Sequence, residues 1–130
     1  MDKTISELVR DIAPGPVLVD IGASGDPPKI WGPIAPQSVF VGFDPDLREM
    51  RETTGEGFAR SVIVNEAVVA DKGGGQAVFH FTKSPYCSST LPPDTEALSD
   101  YLFSDLFEVE ATKMVPAVTL AEVLARLSLP

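Results

Sequence analysis

The segment Val17-Leu18-Val19-Asp20-Ile21-Gly22-Ala23-Ser24-Gly25 reads as a buried strand running into a glycine turn. Val17, Leu18, Val19 and Ile21 are apolar and mostly β-branched, as suits a strand covered on both faces. Gly22 and Gly25 allow a sharp turn and a close approach of backbone to ligand. Asp20 interrupts the apolar run just before the turn. A carboxylate there is costly to bury without a partner, and the carboxyl ends of strands are where open α/β sheets bind ligands.

Downstream, Ser38-Val39-Phe40-Val41-Gly42-Phe43 predicts a second strand ending in Asp44-Pro45-Asp46. A helix is expected from about Asp46 to Thr54, with Leu47 and Met50 inward. Ser61-Val62-Ile63-Val64 predicts a third strand that leads into Asn65-Glu66-Ala67-Val68-Val69. Asp71-Lys72-Gly73-Gly74-Gly75 is a turn signal, and Gln76 to Phe81 alternates as a strand should, so residues 66–82 are expected to form a β-hairpin. Strand, turn, helix, strand, helix, strand is the order of a doubly wound, mostly parallel α/β sheet.

The flanks supply covering helices. Thr4 and Glu7 form a capping box before Ile5, Leu8, Val9 and Ile12, which predicts an amphipathic helix over 4–13 ended by Pro14-Gly15-Pro16. Asp26-Pro27-Pro28 can open only a short helix, because Gly32-Pro33 and Pro36 follow. Residues 84–93 read as a Ser, Pro and Thr-rich loop, 94–103 as a helix with Ala97, Leu98, Tyr101 and Leu102 on one face, and 107–118 as an extended segment. A second capping box, Thr119 to Glu122, opens a last helix with Leu120, Val123, Leu124 and Leu127 inward.

The 130 residues suffice for a single domain with one core. A net charge of −9, with Arg48, Arg51 and Arg60 interleaved among Glu49, Glu52 and Glu56, opposes nucleic acid and anionic membranes as partners. One cysteine, Cys87, allows neither an internal disulfide nor a Cys-based metal site, and no metal ligand set is expected. Without an apolar run of spanning length or a signal-peptide pattern, a reducing cytoplasm is the expected compartment. His80, the single histidine, reads as a packing residue on its strand, Trp31 as core, and Cys87 as an incidental thiol.

Two acids suggest the ligand. Asp44 lies about twenty positions after the Gly turn begins, where nucleotide-binding α/β folds place the acid that binds the ribose hydroxyls. A dinucleotide site would want Gly-x-Gly-x-x-Gly and free amides for pyrophosphate. Here Asp26 adds negative charge at that place, and Pro27 and Pro28 remove donors. S-adenosylmethionine has an adenosine, no phosphate, and cationic sulfonium and ammonium groups that Asp20 and Asp26 attract.

Val19 to Gly25, followed by Val41-Gly42-Phe43-Asp44-Pro45-Asp46, resembles the FkbM family of class I S-adenosylmethionine-dependent methyltransferases. Asn65 to Val68, Ser88-Ser89-Thr90 and Val118-Thr119-Leu120 are similar to later segments of that family. The resemblance implies a Rossmann-like methyltransferase fold. It also implies O-methyl transfer to a small-molecule or glycan hydroxyl, with S-adenosylmethionine as cofactor. By the same resemblance Asp20, Gly22, Ala23, Ser24 and Gly25 would line its methionine part, Asp44 with Pro45 its ribose, and Asn65, Glu66 and Ala67 its adenine. No catalytic residue is indicated. The family continues with a fourth strand beside the first, so only its amino-terminal, cofactor-binding part is matched. Either a missing carboxyl-terminal half or a second copy in a homo-oligomer is then expected to cover the first-strand edge. A non-catalytic or split nucleotide-binding module is the alternative, and an NAD-dependent enzyme a more remote one.

Overall fold

A computed structural model of the chain describes residues 4–12, 15–51, 54–71 and 73–130. The expected Ala13 end and Pro14 stop of the first helix, positions 52–53 of the second and Lys72 of the turn lie outside the described residues.

Three strands, β1 (Val17–Ile21), β2 (Val39–Phe43) and β3 (Arg60–Val64), form a parallel sheet in the order β1-β2-β3. The register runs Val19 to Val41 to Val62, so alternate residues share a face. On one face Val17, Val19, Val41 and Phe43 pack against Val118 and Val123. On the other, Leu18 and Phe40 pack with Ala23, Trp31, Phe58 and Ile63, and the Phe40 and Phe58 rings lie 5.2 Å apart. Phe40 is fully buried, which contributes about 1.5–3 kcal/mol.

The covering layers depart from an evenly wound sheet. The first face is covered by helix α3 (Leu120–Arg126), which Thr119 caps by accepting from the Glu122 amide. The second face carries 3₁₀ turns at Lys29–Trp31 and Ala35–Gln37, because prolines prevent longer helices there. Helix α1 (Ile5–Arg10) has the full Thr4–Glu7 capping box, yet Ile5 and Leu8 of its apolar stripe remain exposed. Among the described residues, the edge strand β1 pairs with β2 alone. Among the described residues, no helix is long and apolar enough to cross a membrane.

A second sheet overturns the hairpin expected over 66–82. Its strands are β4 (Ala67–Val68), β5 (Gln76–Thr82) and β6 (Val109–Val118), in the order β4-β6-β5. β6 lies between the two supposed hairpin arms, parallel to β4 and antiparallel to β5. The reason is length. β4 offers two residues for pairing, whereas β6 matches β5 from Gln76–Pro116 to Thr82–Val109 and buries Phe79, Val115 and Ala67 in a shared cluster. Pro116 is tolerated in this middle strand. The Ala117 amide donates to Gly75 O at 2.8 Å, so the missing donor at 116 points away from β5, and β4 begins its pairing only at Ala117.

Two expected helices also shrink. Residues 46–51 are irregular apart from one turn at 48–49, closed by the Met50 amide donating to Leu47 O. Helix α2 covers only Thr95–Leu98, and Leu102, expected inward, is fully exposed while Tyr101 and Phe103 stack at 5.1 Å.

Candidate functional site

The carboxyl ends of β1 and β2 meet the second sheet at a cleft of about 220 Å³. Ile21 and Gly22 border it from β1 and its turn, Phe43, Asp44 and Pro45 from β2, and Glu66, Ala67 and Val68 from the segment after β3. Ser88, Ser89 and Thr90 form the far wall.

The Gly turn is tied to β2 by its backbone. The amides of Gly22 and Ala23 both donate to Phe43 O, at 2.8 and 3.1 Å. Gly22 and Gly25 both have left-handed φ, +84° and +82°, which explains their identity. A Cβ at Gly22 would meet nothing within 4 Å, so the backbone there is open to a ligand. A Cβ at Gly25 would lie 3.0 Å from the Tyr86 hydroxyl oxygen, because Tyr86 of the 84–90 loop rests on the turn.

Asp44 is the acid of the cleft. It is 4% exposed, and its carboxylate accepts from Ser24 Oγ (2.7 Å) and from the Asp46 amide (2.8 Å). Burial pushes its carboxyl above the usual range, against the pull of those two hydrogen bonds. The Ser24 amide adds a weaker interaction with the same carboxylate, which leaves at least one of its roughly four acceptor positions for a ligand hydroxyl. Glu66 stands across the cleft, with its carboxylate 3.7 Å from Arg126 of α3.

The sequence-derived candidates therefore divide. Gly22, Asp44, Pro45, Glu66 and Ala67 come together around the cleft. Ser24 stands behind it and touches Asp44. Ala23 is buried beneath the turn with Leu18 and Phe40, and Gly25 is buried under Tyr86. Asp20 shares the Leu18 face of β1, opposite the face that carries Ile21, and burial alone pushes its carboxyl up. Asn65 is exposed outside the lining. His80 Nδ1 lies 3.2 Å from Thr112 Oγ1 on the β5–β6 pair, away from the cleft.

Asp46 and Arg48 form a group the sequence did not single out. Asp46 is 1% exposed and binds the Arg48 guanidinium through both oxygens, Oδ1 to Nε at 2.9 Å and Oδ2 to Nη2 at 2.6 Å. Burial pushes this carboxyl up, but hydrogen bonds from Arg48 and Ser88 outweigh it and hold it below the usual range. The only signal was the Asp-x-Arg spacing, which reads equally well as a solvated charge pair.

Comparison with protein-family models, curated proteins and solved structures finds no match to this chain.

Proposed function

We propose that the chain is the cofactor-binding part of an S-adenosylmethionine-dependent methyltransferase with a Rossmann-like fold, acting on a hydroxyl of a small molecule or glycan. The observation that carries the reading is the pairing of Asp44 with the Gly22 turn on one cleft. A buried carboxylate with a spare acceptor position sits beside backbone that no Cβ obstructs. Asp44 would hold the ribose hydroxyls, Gly22 would let the ligand approach the turn closely, and Glu66 with Ala67 would border the base. The overall charge of −9 favours a cationic ligand over a phosphate. When bound, S-adenosylmethionine supplies an electrophilic methyl group. The protein's part is to fix its orientation against the acceptor.

Isothermal titration with S-adenosylmethionine, S-adenosylhomocysteine and NAD tests the reading. Binding of the first two and not the third is expected. Tighter binding of NAD sinks it.

A second reading, an adenosyl-binding module without transfer chemistry of its own, is favoured by the position of His80. The imidazole is engaged with Thr112 rather than facing the cleft, and Glu66 is paired with Arg126. A base for the acceptor hydroxyl would then come from a segment or partner chain along the β1 edge.

A further inference from the structure

We infer that Arg48 is a positioning residue. Paired with buried Asp46, it latches the 83–90 segment across the ends of β1 and β2 and so sets the far wall of the cleft. The inference rests on the proposed adenosyl ligand only for its effect on binding.

Three segments converge on the Asp46–Arg48 pair. From its own loop, Asp46 Oδ1 accepts from the Arg48 amide and Nε, at 3.2 and 2.9 Å. From the Ser-rich loop, Ser88 Oγ donates to Asp46 Oδ2 at 2.8 Å. From the end of β5, Thr82 O accepts from Arg48 Nη2 at 2.6 Å, and the Thr82 amide donates to Ser88 Oγ at 3.1 Å. Arg48 Nη1 also lies 3.6 Å from Glu110 on β6. A guanidinium can make these bonds at once because its donors form a rigid planar fork, whereas an ammonium is a single point charge.

The strap so anchored has two further footholds. Tyr86 rests on Gly25 at the turn after β1. Ser89 and His80 exchange backbone hydrogen bonds at 2.8 and 3.1 Å on β5. Ser88, Ser89 and Thr90 then line the cleft together with Asp44. The two carboxylates are joined by one backbone unit, because the Asp46 amide donates to Asp44 Oδ1. A change at the latch therefore reaches both walls.

The test combines amide hydrogen exchange with titration of S-adenosylhomocysteine for the wild type, Arg48→Ala, Arg48→Lys and Ser88→Ala. The readout amides are those of His80 and Ser89, which bond to each other and to no altered side chain. In Arg48→Ala their exchange is expected to rise about tenfold more than that of the β1–β3 amides, which report the global loss of stability, with Ser88→Ala following and Arg48→Lys restoring only part. Affinity for S-adenosylhomocysteine is expected to drop about tenfold in step. Unchanged exchange at His80 and Ser89 in Ser88→Ala and Arg48→Lys overturns the latch, and these two variants decide if Arg48→Ala does not fold. A loosened strap with unaltered affinity overturns the effect on binding. If the wild type takes up no S-adenosylhomocysteine, the cofactor reading fails, and the exchange data alone decide the latch.

Discussion

Ser24 donates its hydroxyl proton to Asp44 across a span of twenty residues, at 2.7 Å, and so joins the Gly turn of β1 to the end of β2. With the Asp46 amide on the other oxygen, the carboxylate is oriented before any ligand arrives. Orientation does not remove the cost of holding a charge in a site that is 4% exposed. The carboxyl is accordingly shifted upward by burial, and a folded-state pKa above the unfolded one means that stability falls as pH rises through it.

Asp44→Asn should therefore separate stability from binding. An asparagine of the same shape can accept from the Asp46 amide and donate to Ser24 Oγ, so both short bonds of the carboxylate have a counterpart. At neutral pH the variant is expected to unfold at a higher temperature than the wild type, with the difference vanishing below the unfolded carboxylate pKa of about 3.9. Affinity for S-adenosylhomocysteine should fall by about 1–3 kcal/mol, the loss of charge-assisted hydrogen bonds to a diol. Thermal melts across pH and a titration check both arms, and unchanged affinity removes Asp44 from the ligand site.

Asp20 makes a contrasting case. It sits on the Leu18 face of β1, its pKa is raised by burial, and its carboxylate makes no hydrogen bond or ion pair among the described residues. Its ionised form destabilises the fold above the unfolded pKa, and the cost disappears when the group is protonated in both states. Asp20→Asn is expected to stabilise the protein at pH 7 and to have no effect near pH 3, measured by urea unfolding at the two values. A neutral or negative effect at pH 7 would point to a cationic partner for Asp20 in solution.

The strands were legible because their signals are local. Val17–Ile21, Val39–Phe43 and Arg60–Val64 are short β-branched runs, and their parallel order follows from the connections between them. The Thr4–Glu7 capping box and the Thr119 N-cap were readable for the same reason. The hairpin failed because a turn at 71–75 says that the chain reverses, not which strand it meets. β6, some forty residues further along, outcompetes the two-residue β4. The helix expected after Asp46 failed because its carboxylate binds Arg48 and Ser88 rather than capping a helix. In the site, Gly22 and Asp44 could be read from type and spacing. The placement of Asp20 follows from the pleat, which puts it on the face opposite Ile21.

Gly42 tests how tightly the turn seats on β2. It lies in register with Asp20, and a Cβ there would stand 2.9 Å from the Phe40 ring and 3.0 Å from Ala23 Cβ. Both neighbours are nearly solvent-free, so neither can move aside without disturbing the core. Gly42→Ala should cost about 1–3 kcal/mol in chemical unfolding, as overpacking does. It should also push Ala23, and with it the Gly22 amide that donates to Phe43 O, outward. A Gly42→Ala protein as stable as the wild type would show that the turn is more loosely seated than these distances imply.

Arg48 faces Asp46 in its own loop, Glu110 on β6 and Glu49 beside it, while Asp44 approaches Asp46 from the cleft side. The carboxyl of Asp46 is depressed below its unfolded value because hydrogen bonds from Arg48 and Ser88 exceed the burial penalty. A depressed pKa contributes stability above the unfolded value that is lost as pH falls through the folded one. Removing the guanidinium leaves a carboxylate that is 1% exposed and reverses this sign. Arg48→Ala is expected to cost about 2–3 kcal/mol at pH 7, below the cost of breaking a fully buried pair because Arg48 is itself partly exposed. The deficit should shrink as pH falls and Asp46 takes up a proton. Adding Asp46→Asn should recover part of it at pH 7, since the uncompensated charge is then gone. Urea unfolding of the two single variants and the double variant at pH 7 and pH 4 reads out the cycle. Additive effects would mean that the pair contributes no coupling and that Arg48 acts through packing alone.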